Sequence, residues 1–136
     1  MEKTASNPLL LIGDVVVLGV VTLAGFASHD TLGTAGTRLW VTFVSLGVAW
    51  VVLAFFGGLF TPARVWDARQ LWRPFVGMIL AAPFAGWMRA LWLGRGVEPV
   101  FVMVLGGVSA LAILAWRAVY LALYKRKMRL SAVSHE

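Results

Sequence analysis

Asp14, Arg89 and Arg117 stand in or at the edge of long hydrophobic runs, and they are the residues best placed to do chemistry in this sequence. The stretch from Val100 to Leu123 is apolar or small at every position except Arg117. An unpaired arginine inside such a run costs roughly 2.5–3.5 kcal/mol at mid-membrane even on the lenient insertion scale, so it calls for a partner. A carboxylate meeting a guanidinium in that setting does one of two things. It locks helices in register, or it takes part in a proton or ion relay. A relay needs a succession of titratable groups, and the middle thirds of the apolar runs hold none, so the lock is the preferred reading. Ser28-His29-Asp30 are adjacent in the chain, which is not triad geometry, because triad members meet through folding. His29 and His135 are the only histidines, there is no cysteine, and no helix carries metal-ligand spacing. His29 reads as a residue capping the first helix. No catalytic motif, metal site or cofactor site is expected.

The elements that hold these residues follow from composition. The chain has 136 residues, 60% hydrophobic and 13% charged, with mean hydropathy +0.84. A soluble domain lies nearer about 45–50% apolar and about 25% charged, so the expected class is an all-α integral membrane protein with one transmembrane domain over 1–136. The net charge of +6 does not point to nucleic acid, because the positive residues flank the hydrophobic runs as topology signals do.

Four spans are expected, at about 9–27, 39–60, 75–93 and 100–123. Asn7-Pro8, Thr61-Pro62 and the prolines at 74 and 99 mark helix starts. The first run reads as a retained span and not as a cleavable leader, being longer than a usual leader core and containing Asp14. Ser28 to Arg38 reads as a polar connector with turns at Gly33 and Gly36, and Thr37 as a cap for the second span, with Trp40 and Phe60 as interface anchors. Thr61 to Pro74 reads as a short interfacial helix. In it Val65, Trp66, Leu71 and Trp72 dip into the headgroup boundary while Arg64, Arg69 and Arg73 meet lipid phosphate. Lys125, Arg126 and Lys127 are expected in the same role. Pro83 should kink the third span.

Lys3, Arg64, Arg69, Arg73, Lys125, Arg126, Lys127 and Arg129 fall on one side of the four spans, against Arg38 and Arg95 on the other. That asymmetry predicts both termini in the cytoplasm. Depth then follows from the helical rise. Asp14 and Arg117 lie about 8–9 Å inside the cytoplasmic edge, which predicts a buried Asp14–Arg117 pair. The same argument predicts an outer cluster of Arg89 with His29, Asp30 and Glu98. Gly77, Ala81 and Ala85 lead in four-residue steps to Arg89, and Gly106 and Ala110 share the face of Arg117. These small residues suit close helix contact.

Taken together, Gly13-Asp14, Ser28-His29-Asp30, Arg89, Gly96, Phe101-Val102 and Trp116-Arg117 resemble a family of small bacterial four-helix membrane proteins catalogued only as a domain of unknown function. The resemblance implies four helices and no known activity, and the expected location is the bacterial cytoplasmic (inner) membrane.

The function expected from these features is a non-catalytic accessory subunit that packs against larger membrane subunits, or against copies of itself, in the lipid bilayer. An energy-transducing assembly, such as a photosynthetic reaction centre with its antenna, is one candidate host. Antenna helices ligate pigment through a histidine in the span, and none is present, so the role there would be structural. The alternative is a small oligomeric ion- or proton-coupled transporter using Asp14 and Arg117.

Overall fold

The computed structural model describes residues 8–134, and every regular element among them is helical. In chain order these are α1 (Pro8–Ser28), α2 (Leu32–Phe56), α3 (Pro62–Val65), a 3-10 turn at Ala68–Gln70, α4 (Trp72–Leu93) and α5 (Pro99–Val133). α1, α2, α4 and α5 are long and apolar enough to cross a membrane. The Asn7 cap, Lys3 and His135 lie outside the described residues.

The first expected span agrees with α1 to within a residue at each end. The second does not. Helix begins at Leu32, runs one turn, breaks at Gly36 (φ 40, ψ −123) and resumes, so Gly33 is helical and the connector shrinks to residues 29–31. Ser28 and Thr31 donate their hydroxyls to the carbonyls of Gly25 and Phe26, so they, not His29, satisfy the end of α1. α2 stops at Phe56, four residues short of the expected Phe60, and the reason is Gly57-Gly58. Gly58 takes a left-handed conformation (φ 63), and the Leu59 N–H turns back to the Ala54 carbonyl. That closure is the common glycine-terminated helix end.

Residues 61–74 do not form the one surface helix expected. They divide into α3 and the 3-10 turn, where the Asp67 carboxylate accepts from the Arg69 N–H. α4 starts at Trp72, which puts Pro74 in its first turn, where proline costs little. The helix then continues through Pro83 to Gly94, whose left-handed backbone (φ 61) ends it in the same manner as Gly58 ends α2. α5 runs ten residues beyond the expected Leu123 and carries Lys125, Arg126, Lys127 and Arg129 on exposed helix.

The four long helices form a ring in which α1 touches α2 and α5, and α4 touches α2 and α5. Short connectors force neighbours to alternate in direction. The "basic end" of the ring therefore gathers the start of α1, the connector between α2 and α4 and the tail of α5. The "far end" gathers residues 29–31 and 94–98. The centre is filled by Leu18, Leu46, Ala49, Trp50, Met78, Ala81, Ala85, Ala110 and Ile113. Small residues set the spacing where α4 meets its neighbours. A Cβ added at Gly106 would strike Ala82, one at Gly86 would strike Val102, and Gly77 lies against Leu59 and Trp50. The absent side chains let backbones approach, as in other membrane bundles.

Candidate functional site

Asp14 and Arg117 meet at the basic end, as the depth argument requires. The Arg117 guanidinium donates Nη2 to Oδ2 of Asp14 at 2.6 Å and Nε to Oδ1 at 3.3 Å, a two-point contact that fits a planar guanidinium to a carboxylate. Asp14 is fully buried and Arg117 is 6% exposed. Two further partners complete the site. The fully buried Trp50 on α2 donates its indole N–H to Asp14 Oδ2 at 3.1 Å. The Leu59 carbonyl, delivered by the Gly57-Gly58 stop, accepts from Arg117 Nη1 at 2.8 Å. The guanidinium also lies 5.5 Å from the Trp50 ring and 5.3 Å from the Phe60 ring. Phe60 is thus a half-buried wall of the site. The Trp116 indole stands beside the same carboxylate with its Nε1 outside hydrogen-bond geometry, and its ring covers Gly13, where a Cβ would overlap it.

This arrangement uses α1, α2, the turn after α2, and α5. Each charge is surrounded by donors or acceptors supplied from other elements, which is what a buried ion pair requires if it is not to destabilise the fold. A water-sized hollow of about 20 Å³ adjoins it, lined by Arg64, Arg73, Arg117 and Tyr120 among others.

The far end differs from expectation. Arg89 makes no ion pair with Asp30 or Glu98. Its Nε donates to the Thr42 hydroxyl at 3.0 Å, and its guanidinium lies 4.3 Å from the Phe101 ring. Among the described residues the only salt bridge is Asp14–Arg117. Asp30 is exposed with φ 52, in the tight three-residue connector, and His29 is exposed too. What Arg89, Thr42 and His29 do share is a cavity of about 530 Å³, walled by α1 from Val20 to Ser28 and by α5 from Phe101 to Val108. Sequence reasoning missed it, since a diverging helix pair leaves no mark on composition.

Between the two ends the interior holds no charged group among the described residues and is largely aliphatic. Leu18, Leu46, Met78, Ala110 and Ile113 separate the charge pair from Arg89. The buried hydroxyls of Ser45 and Ser109 lie in this zone without hydrogen-bond partners. Among the described residues, no group of three or more His, Cys, Asp and Glu is placed to hold a metal ion.

The basic residues expected at the headgroups differ in their local partners. Arg64 donates to the Gly57 carbonyl at 2.6 Å and so ties the connector to the end of α2. The guanidinium of Arg73 folds toward Trp72 (5.4 Å), with its Nε buried. Arg69, Lys125, Arg126 and Lys127 are exposed. Trp66 is half-buried against α5. It stacks on Tyr124 at 3.7 Å and faces Tyr120 at 5.7 Å, which fastens the connector to α5.

Compared with known proteins, the chain matches the family model described as "Protein of unknown function (DUF3054)" over residues 11–120, and it belongs to that family. No curated protein and no solved structure matches it.

Proposed function

With membership of this family as the premise, we propose that the protein is a non-catalytic accessory subunit of the bacterial cytoplasmic membrane, packing against and stabilising larger membrane proteins. Both termini face the cytoplasm in this reading, and the connector between α2 and α4 lies at the inner lipid surface. The asymmetry of Lys and Arg supports that orientation. Arg69, Lys125, Arg126 and Lys127 then contact anionic headgroups. An energy-transducing assembly, such as a photosynthetic reaction centre with its antenna, is a candidate host.

The observation that carries the reading is the saturation of the Asp14–Arg117 pair behind an apolar belt. A relay group has to exchange its proton with a neighbour along a path. Here the carboxylate is held by Arg117 and Trp50, and among the described residues the interior beyond it is lined chiefly by aliphatic side chains, with the uncharged hydroxyls of Ser45, Ser109 and Thr22 buried among them. Such a pair holds helices. The outward faces of α2 and α4 present Phe55, Phe56, Trp87 and Trp92 at half exposure or more, which is wide apolar area for a neighbouring subunit.

Gentle detergent extraction, size separation and mass spectrometry test the proposal. The expected result is co-migration with larger integral membrane subunits in fixed ratio. A lone oligomer that moves protons or ions in proteoliposomes, with the flux lost in Asp14→Asn, would instead establish the small ion- or proton-coupled transporter.

A further inference from the structure

The far-end cavity combines two features: an apolar wall open along the seam between α1 and α5, and a cation in its lining. From these we infer that it binds one amphipathic molecule with an anionic head and an acyl tail, the tail lying in the seam between α1 and α5. The inference needs the bundle to span a bilayer but does not depend on the accessory role.

The wall comes from helix divergence. α1 and α5 touch closely at the basic end, where the Trp116 ring covers Gly13. Toward the far end they separate. A Cβ added at Gly25, which lines the cavity, would meet nothing within 4 Å. Val20, Phe26, Val104, Leu105 and Val108 line the resulting space, which extends about 10 Å along the helix axes at the α-helical rise. Its volume of about 530 Å³ falls within the ~300–1,000 Å³ of small-molecule sites. In a bilayer, an apolar space of this size left empty forfeits dispersion contacts along its whole lining, so an acyl chain entering it is favoured.

The cation supplies selectivity. Arg89 lies four residues before the end of α4, about 6 Å from it along the axis, which puts it near the far-end surface of the bundle. Its Nε is held by Thr42 and its plane by Phe101, so the guanidinium is fixed. Among the described residues no hydrogen bond engages its two Nη groups. Arg38 and Arg95 add positive charge nearby, Glu98 opposes it, and Asp30 is absent from the lining. A phosphate or carboxylate at the rim would meet a guanidinium that already has its orientation. His29, Ser28 and Thr31 stand at the mouth as further polar contacts.

The test is native mass spectrometry of the full chain in detergent, titrated separately with phosphatidylglycerol, palmitate and phosphatidylcholine. One phosphatidylglycerol or palmitate per chain is expected, held about tenfold or more tightly than phosphatidylcholine, as for one charge-assisted contact. Preference for phosphatidylglycerol assigns a phospholipid, and preference for palmitate a free carboxylate. Arg89→Gln should remove the preference and Arg89→Lys retain part of it. Val108→Trp, which fills the seam, should abolish retention of either anionic amphiphile. Because Arg89→Gln also leaves Thr42 without its partner, unfolding midpoints of all variants are measured alongside. Retention of the anionic and zwitterionic lipids to the same degree, or an undiminished preference in a folded Arg89→Gln, overturns the inference.

Discussion

At the residue scale the molecule is governed by one rule, that a charge removed from water must be matched on all sides. Asp14 obeys it through Arg117 and Trp50, and Arg117 through Asp14 and the Leu59 carbonyl. Asp14→Asn leaves the guanidinium buried without its counter-charge and should lower stability by about 3 kcal/mol, read from unfolding midpoints in mixed detergent. Arg117→Leu added to it should restore much of the loss, because the remaining groups are neutral. No recovery in the double variant would dissolve the idea of a pair. Trp50→Phe removes the indole donor and also shrinks a fully buried ring, so a loss of more than about 1 kcal/mol, the lost hydrogen bond plus the cavity, is expected in the same assay. The pair itself was legible in the sequence because helical rise converts position into height. The indole and the carbonyl were not, because height says nothing of which way around the bundle a residue faces. The same blindness explains Arg89. Its level suited Asp30 and Glu98, but azimuth gave it Thr42 and Phe101.

At the element scale, the four long helices were readable from hydropathy and proline placement, and their ends less so. Glycine decides two of those ends. Gly58→Ala must place a Cβ on a left-handed backbone and against the Arg64 guanidinium, so about 1 kcal/mol of destabilisation is expected. Ser45→Ala, within α2 and away from any turn, serves as the control that should not lose stability, since its buried hydroxyl has no partner. The stop at Gly57-Gly58 escaped the sequence reading, because the apolar Leu59-Phe60 that follows passes for more span. The first turn of α2 was hidden for the opposite reason, being polar enough to pass for a loop. Helix contact sites were easier to read, since spacing alone marks Ala81, Ala85, Gly106 and Ala110. Gly106→Leu forces α5 away from Ala82 on α4 and should cost about 1–3 kcal/mol, measured by the same unfolding assay.

At the scale of the whole molecule, the ring has two unlike ends, one sealed by charge and aromatic stacking and one open along the α1–α5 seam. Orientation in the membrane is the property that gives these ends their meaning. The chain has no cysteine, so single reporters can be added cleanly. With Val97→Cys and Met128→Cys, a membrane-impermeant maleimide applied to intact cells should label only the first. Labelling of the second alone would invert the molecule. The unbroken length of α5 has its own consequence. After Gly107 it contains neither glycine nor proline, the usual points at which a helix bends, and it remains helical to Val133. It is therefore a lever about 24 Å long from Arg117 to its tip. Whatever tugs sideways on that charged tip applies torque directly to the fulcrum where Arg117 grips Asp14.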